Sequence, residues 1–261
     1  ALTLPANCYT QPAFADAERR AVFARSWQLV AHGAQVNFAG DHAVAEVAGV
    51  PLLAVRGDDG VLRALHNVCR HRAGPLAECD GRHARELVCR YHGWRYALDG
   101  RLLGAPDMGR APDFDVTAIR LPQARVAQWQ GLVFAALEQA APPFEQLVEG
   151  IEERLGGHSF AELRLALHVD YEVACNWKVY VDNYLEGYHV PRVHPRLASL
   201  LDCAAYATTT ARWSSLQASP LAGNGPYGQG EALYWWLYPN TMLNVLPGRL
   251  QTNRVIPVGV D

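Results

Sequence analysis

An α+β architecture in two parts is what this sequence predicts: an all-β module, then a domain of helix and antiparallel sheet. Three observations predict it. Between about Leu29 and Leu137, short β-prone runs alternate with Gly, Asp and Pro turn signals. Asn176 to Tyr188 carries apolar residues at helical spacing. From Glu231 to Ile256 the chain returns to short strands, joined by Pro-Asn and Pro-Gly.

Residues 1–12 are expected to be extended, broken at Pro5 and Pro12. From Ala13 to Trp27, the positions Phe14, Ala17, Ala21, Val22 and Trp27 keep to a helical period. Asp16 and Glu18 lead and Arg19, Arg20 and Arg25 come after, the order a helix dipole favours. Strands are expected at 44–47, 51–55, 61–65, 87–88, 95–98 and 132–137, with Asp58-Asp59-Gly60 and Asp99-Gly100 as turns. Ala141-Pro142-Pro143 marks the exit from the β module. Phe144 to Leu155 is expected to form one helix ending at Gly156-Gly157, and Leu163 to Tyr171 a strand. Strands at 231–238, 241–246 and 250–256 then form a meander. The implied organisation is a helical segment, 1–28, packing with the second domain; a β module, 29–137; and a helix-and-sheet domain, 138–261.

Composition bounds the function. With 261 residues, half of them hydrophobic and 19% charged, the chain is long enough for a sizeable core. A net charge of −3 without a long charged run gives no footprint for nucleic acid or an anionic membrane. No apolar segment approaches the roughly 20 residues a bilayer span needs, and no secretory leader is visible. The first residue is Ala rather than Met, so residues upstream stay open. Six cysteines, at 8, 69, 79, 89, 175 and 203, form no regular framework. That argues for a reducing, cytoplasmic setting and against a disulfide scaffold.

Two of those cysteines sit in the pattern C-x-H, x17, C-x-x-H: Cys69-Arg70-His71 and Cys89-Arg90-Tyr91-His92, with Gly93-Trp94 directly after. A structural zinc site usually pairs two cysteines on one turn. Here each loop offers one thiolate and one imidazole. That suits a two-iron cluster with both cysteines on one iron and both histidines on the other, a chance Cys/His cluster or a mixed-ligand zinc site being the alternatives. Cys79 lies between the loops, but only the chosen pair has the flanking histidines. Gly74 and Gly93 are places for the backbone to bend closely around a metal.

A second constellation lies on the helical segment. Trp177, Tyr180, Val181, Tyr184, Leu185 and Tyr188 form its apolar face, and Asp182, Glu186 and His189 share another. Pro191 is expected to end the helix and to push Val190 towards extended geometry. Histidines five apart on an unbroken helix diverge by roughly 140°, so such a break lets His189 and His194 be re-aimed at one metal. Two imidazoles with a carboxylate form the facial triad of non-haem Fe(II) oxygenases. Taken alone, the pair serves equally well as structural histidines. On the strand 234–238, alternation places Tyr234, Trp236 and Tyr238 on one face. That face suits a quaternary ammonium, a stacked ring or core packing.

The first pattern resembles the Rieske [2Fe-2S] motif. The segment Asn176-Trp177-Lys178 through Asp182-Asn183-Tyr184-Leu185-Glu186-Gly187-Tyr188-His189-Val190-Pro191 to His194-Pro195 resembles the catalytic-iron segment of Rieske non-haem iron oxygenase large (α) subunits. Its wording is most similar to the branch of choline monooxygenase and the betaine and carnitine oxygenases. The resemblance implies a [2Fe-2S] cluster on Cys69, His71, Cys89 and His92, and a mononuclear Fe(II) on His189 and His194. It puts Glu186 where the family carries an acidic residue bridging the two centres between subunits, with Asp182 and Asn183 as supporting candidates. It further implies an NAD(P)H-dependent reductase, with or without a ferredoxin, O2 and a small substrate, a homotrimer, and monooxygenation or dioxygenation. An aromatic-ring hydroxylating oxygenase and a non-catalytic Rieske electron carrier are the competing readings. The family's third iron ligand is an Asp or Glu on a helix well beyond the meander. Asp202, Glu231 and Asp261 are the only acidic residues after His194, and none has that context. A catalytic domain incomplete at its C-terminus is therefore expected.

Overall fold

Leu52-Leu53-Ala54-Val55 breaks the in–out alternation of the β region, and the computed structural model shows why: the strand is buried on both faces. The structure describes residues 3–157, 159–223 and 225–260, so Asp261 lies outside the described residues. Two compact units emerge, Leu29–Ala141 and Ala1–Gln28 with Pro142–Asp261.

In the first unit, the strands are β1 (Gln28–His32), β2 (His42–Val47), β3 (Val50–Arg56), β4 (Leu62–His66), β5 (Leu87–Val88), β6 (Arg95–Tyr96), β7 (Leu102–Gly104), β8 (Gln123–Trp129) and β9 (Leu132–Ala136). They form a six-stranded sheet in the order β1-β9-β8-β4-β3-β2 and a three-stranded sheet β5-β6-β7. Leu53, Val55 and Leu65 on one face of the large sheet pack with Leu87, Tyr96, Leu98 and Leu102. Cys69 and Cys89 belong to the same core. Leu52 and Ala54 point to smaller apolar clusters on the other face. The Asp58-Asp59-Gly60 turn joins β3 and β4 as expected. Gly60 adopts a left-handed φ of 75°, and the Asp59 side chain accepts from Val61 N. Strands β1, β7 and β8 are additions to the sequence expectation.

The second unit opens with helices α1 (Asn7–Thr10) and α2 (Pro12–Ala21), where an extended segment and one longer helix were expected. Pro12 starts α2, where its missing N–H costs nothing. The chain then tightens into a 3-10 turn at Phe23–Arg25. That turn aims Phe23 edge-on at Trp177, 4.9 Å between ring centres, and Trp27 lies edge-on to Phe144 at 5.2 Å. The helix expected over 144–155 is two, α3 (Phe144–Leu147) and α4 (Ile151–Leu155), parted by Gly150 at φ 76°. No strand forms at 163–171: the alternation is present, but Leu165, Leu167, Val169 and Tyr171 are exposed.

Helices α5 (Trp177–Tyr184), α6 (Val190–Val193) and α7 (Pro195–Ala198) come next. They precede a five-stranded antiparallel meander: β10 (Ala207–Thr210), β11 (Ser214–Pro220), β12 (Glu231–Leu237), β13 (Thr241–Leu246) and β14 (Arg249–Arg254). Helix α5 stops four residues before the expected end. Pro191 sits in the first turn of α6 rather than ending a helix, and Val190 is helical rather than extended. No helix among the described residues is long and apolar enough to cross a membrane.

Candidate metal centres

The two Cys/His loops are built alike. In the first, Cys69 N donates to Gly74 O and Ala73 N to Cys69 O, at 2.9 and 3.0 Å. In the second, Cys89 N donates to Trp94 O and Gly93 N to Cys89 O, both at 2.9 Å. The residue four after each cysteine is left-handed, Ala73 at φ 59° and Gly93 at φ 71°. Gly74 is needed for another reason: a Cβ there would stand 3.0 Å from Cys89 Sγ. Asn67, 7% exposed, closes the first loop by accepting from Leu76 N and Ala77 N and donating to Ala77 O.

These loops bring two thiols and two imidazoles together. Cys69 and Cys89 are 3% and 2% exposed. The His71 and His92 ring centres lie 4.5 Å apart, and Trp94 stacks on His71 at 4.9 Å, nearly parallel. Tyr96, wholly buried, places its hydroxyl 3.2 Å from Cys69 Sγ while accepting from Arg70 N. Burial above all, and then Cys69, push its pKa well above the ordinary phenol value, so it stays a donor. Burial also raises the Cys89 thiol, against the backbone N–H groups of Tyr91 and His92 that point at its sulfur. Burial, then His92 and Arg72, depress His71, keeping it neutral with a lone pair to give.

His71 Nδ1 is buried with no hydrogen-bond partner. An orphaned imidazole nitrogen beside a second imidazole, across from two buried thiols, fits a two-iron cluster. Among the described residues no three His, Cys, Asp or Glu side chains converge as a single ion would require. A cluster that takes two protein donors per iron, with sulfide completing each, has no such requirement.

The second group is built on α5 and the turn-rich segment after it. Asn176 caps α5, its Oδ1 accepting from Lys178 N, while its amide donates to Tyr9 O and Val260 O. Glu18 accepts from Trp177 Nε1 at 2.8 Å and pairs with the buried Lys178 at 2.7 Å. After α5 the chain turns at Leu185–Gly187, and His189 and His194 cap the two ends of the one-turn helix α6, on either side of Pro191. Their ring centres are 5.1 Å apart at 79°. Glu186 grips His189 twice, Oε1 to Nδ1 at 2.5 Å and Oε2 accepting from His189 N at 3.1 Å. Partial burial works to raise the Glu186 carboxyl, but these two bonds hold its pKa below the usual value. With Nδ1–H committed to Glu186, the His189 lone pair lies on Nε2. A cavity of about 530 Å³ opens beside the pair, lined by Val193, His194, Pro195, Arg196 and Leu197.

The other expected residues are placed differently. Asp182 accepts from the Tyr9 hydroxyl at 2.7 Å, and Asn183 is exposed. Tyr234, Trp236 and Tyr238 do share a half-buried face, with Trp236 edge-on to Tyr238 at 5.9 Å. Tyr234 joins the apolar cluster of Val190, Leu201 and Ala232 next to His189. Sequence reasoning missed Asn67, Tyr96, Glu18, Tyr206 and Gln217, whose roles depend on tertiary contacts that no local spacing announces.

Comparison with known proteins agrees with this construction. Residues 26–123 match the model of the Rieske [2Fe-2S] domain, and residues 160–261 that of the ring hydroxylating alpha subunit (catalytic domain). The chain is 34% identical to the chloroplastic choline monooxygenase of Arabidopsis thaliana, over 99% of its own length and 65% of that protein's. It is equally identical to the carnitine monooxygenase oxygenase subunit of Escherichia coli K12, over 95% of this chain and 68% of that one. It thus spans about two thirds of the relatives it matches. The crystal structure of the quaternary ammonium Rieske monooxygenase CntA in complex with an inhibitor superposes with a TM-score of 0.92 at 33% identity, covering 100% of this chain and 73% of that one. Motif, fold and relatives converge, and the chain belongs to the Rieske non-haem iron oxygenase large (α) subunits.

Proposed function

We propose that this chain serves in an oxygenase that uses O2 and reductase-supplied electrons to hydroxylate or oxidatively demethylate a small quaternary-ammonium compound. The observation that carries the proposal is the coexistence in one chain of the two matched Cys/His loops and a His189/His194 pair oriented by Glu186. Residues 29–137 are the Rieske domain, 138–261 belong to the catalytic domain, and 1–28 pack with the latter. Cys69 and Cys89 hold one iron of the cluster and His71 and His92 the other; His189 and His194 hold the mononuclear iron. When bound, the cluster supplies single electrons and the mononuclear iron supplies O2 chemistry.

The chain's own residues do the rest. The Tyr96 hydroxyl stabilises negative charge on Cys69. Glu186 fixes the tautomer and aim of His189, and its exposed flank is the place for the neighbouring subunit's cluster in a homotrimer. A solved quaternary ammonium Rieske monooxygenase, 33% identical to this chain, is described as giving insight into inter-subunit electron transfer. Tyr9 holds Asp182, and with Asn183 it completes the polar edge of α5. Tyr234, Trp236 and Tyr238 offer π faces to a methylammonium group, worth on the order of 0.5–2 kcal/mol per ring. Relatives named for choline and carnitine, and a CntA structure with L-carnitine bound, support that substrate class. The electron donor is an NAD(P)H-dependent reductase, and the compartment is cytoplasmic, in keeping with six free cysteines.

The test is NADH consumption with a cognate reductase, across carnitine, choline, glycine betaine and a set of arenes. Stimulation by the ammonium compounds, with formaldehyde release for demethylation, is expected. Turnover of arenes alone would overturn the substrate class.

A further inference from the structure

Between the end of α5 and His189 lie only Leu185, Glu186, Gly187 and Tyr188, so the turn there decides where Glu186 and His189 point. One buried side chain holds that turn to the sheet. Gln217, on β11 and 1% exposed, donates through its amide to the carbonyl of Tyr184, the last residue of α5. Its Oε1 accepts from the Tyr206 hydroxyl at 2.8 Å. The Tyr206 ring in turn lies so close to Gly187 that a Cβ at that position would run into it. A parallel anchor stands on the next strands: the Tyr184 hydroxyl reaches Asn244 Oδ1 at 2.6 Å and lies 3.2 Å from Trp235 O.

The bonds have one direction. Tyr206 donates to Gln217, and Gln217 donates to the helix-terminal carbonyl. Only a neutral amide satisfies both neighbours: a carboxylate has no proton for Tyr184 O, and an apolar side chain leaves two buried groups unpaired. Gly187 has an ordinary φ, so its lack of a side chain serves the approach of the Tyr206 ring rather than backbone freedom.

We propose that Gln217 and Tyr206 are positioning residues of the mononuclear iron site: they set the Leu185–Gly187 turn and through it the aim of His189 and Glu186. This rests on the assignment of His189 and His194 as iron donors. Partners of this kind, acting through metal-binding side chains, are typically worth about 10–100-fold in metal affinity.

The experiment is an Fe(II) titration of the cluster-loaded chain against a competing chelator, for the parent and for Gln217→Met, Tyr206→Phe, Gly187→Ala and His189→Ala. Thermal unfolding and the cluster's visible spectrum are recorded for each. Gln217→Met and Gly187→Ala are expected to weaken Fe(II) by about 10–100-fold with the cluster spectrum unchanged, and Tyr206→Phe, which keeps the ring, by less. The double variant Gly187→Ala/Tyr206→Ala removes the clash and is expected to regain part of the affinity lost by Gly187→Ala without a matching rise in thermal midpoint, whereas a merely destabilising change would move the two together. If Fe(II) affinity tracks thermal midpoint across the set, with no such recovery, the positioning role is overturned. If His189→Ala lowers affinity and the Gln217 and Gly187 variants do not, the positioning role alone fails. Should His189→Ala itself leave affinity intact, the iron assignment beneath it fails.

Discussion

Removing one oxygen atom from Tyr96 is expected to lower the reduction potential of the cluster. In Tyr96→Phe the ring still fills its wholly buried place, but Cys69 Sγ loses the hydroxyl 3.2 Å away and Arg70 N loses its acceptor. A hydrogen bond to a charged group contributes about 1.5–3 kcal/mol. The reduced cluster carries one more negative charge than the oxidised one, so the donor stabilises it more. Taking that difference as about 1 kcal/mol, roughly half the bond, the one-electron conversion gives a fall of roughly 40 mV. The assay is a redox titration monitored by the cluster's visible absorbance. The unpaired Arg70 N–H costs stability too, about 1–3 kcal/mol, seen as a lower thermal midpoint. A potential that stays put or rises would refute the reasoning.

Other outcomes rest on the same geometry. Asn67→Ala opens the bracket around the first loop; three hydrogen bonds go, and about 2–4 kcal/mol of stability with them, measured by denaturant unfolding, with faster loss of the cluster. Glu18→Gln leaves the buried Lys178 without its counter-charge. A loss of about 3–5 kcal/mol is expected, and a change below about 1 kcal/mol would show that the pair carries little. The Glu186 pKa is lowered in the folded chain, so its bonds to His189 stabilise fully above the ordinary carboxylate range and are lost as pH falls through the lowered value. Glu186→Gln should therefore flatten the acid limb of a stability–pH profile, and an unaltered limb would contradict it.

The parts of this molecule legible in its sequence are those written in local spacing. The loops at Cys69 and Cys89 repeat one backbone plan, and the ligand pattern keeps closely to it. In the meander, β12 alternates between buried and half-buried residues from Leu233 to Leu237 and reads as a strand, whereas β13 buries Thr241, Met242 and Leu243 in succession and β14 is mostly polar. The region around His189 was less legible for a physical reason. Pro191 is compatible with either the end of one helix or the first turn of the next, and only the packing of Val190 against Leu201 and Ala232 selects the latter. Leu163–Tyr171 shows the converse: its alternation is that of a strand, but strand formation needs a neighbour, and none pairs with it among the described residues. Strand β1 escaped notice because its partner, β9, lies far along the chain; β7 and β8 pair with their chain neighbours β6 and β9, but β7 is only three residues long and β8 mixes polar and apolar residues. Gln217 and Tyr206 likewise carry no spacing signal, since each matters through what the fold sets opposite it.

Iron and acid-labile sulfide counted per chain, in the parent and in His189→Ala/His194→Ala, test most directly that one chain carries two different iron centres. About three irons and two sulfides are expected in the parent, falling to about two irons with sulfide unchanged in the variant. Two irons in both proteins would contradict the assignment of His189 and His194, and iron without sulfide would contradict the cluster itself.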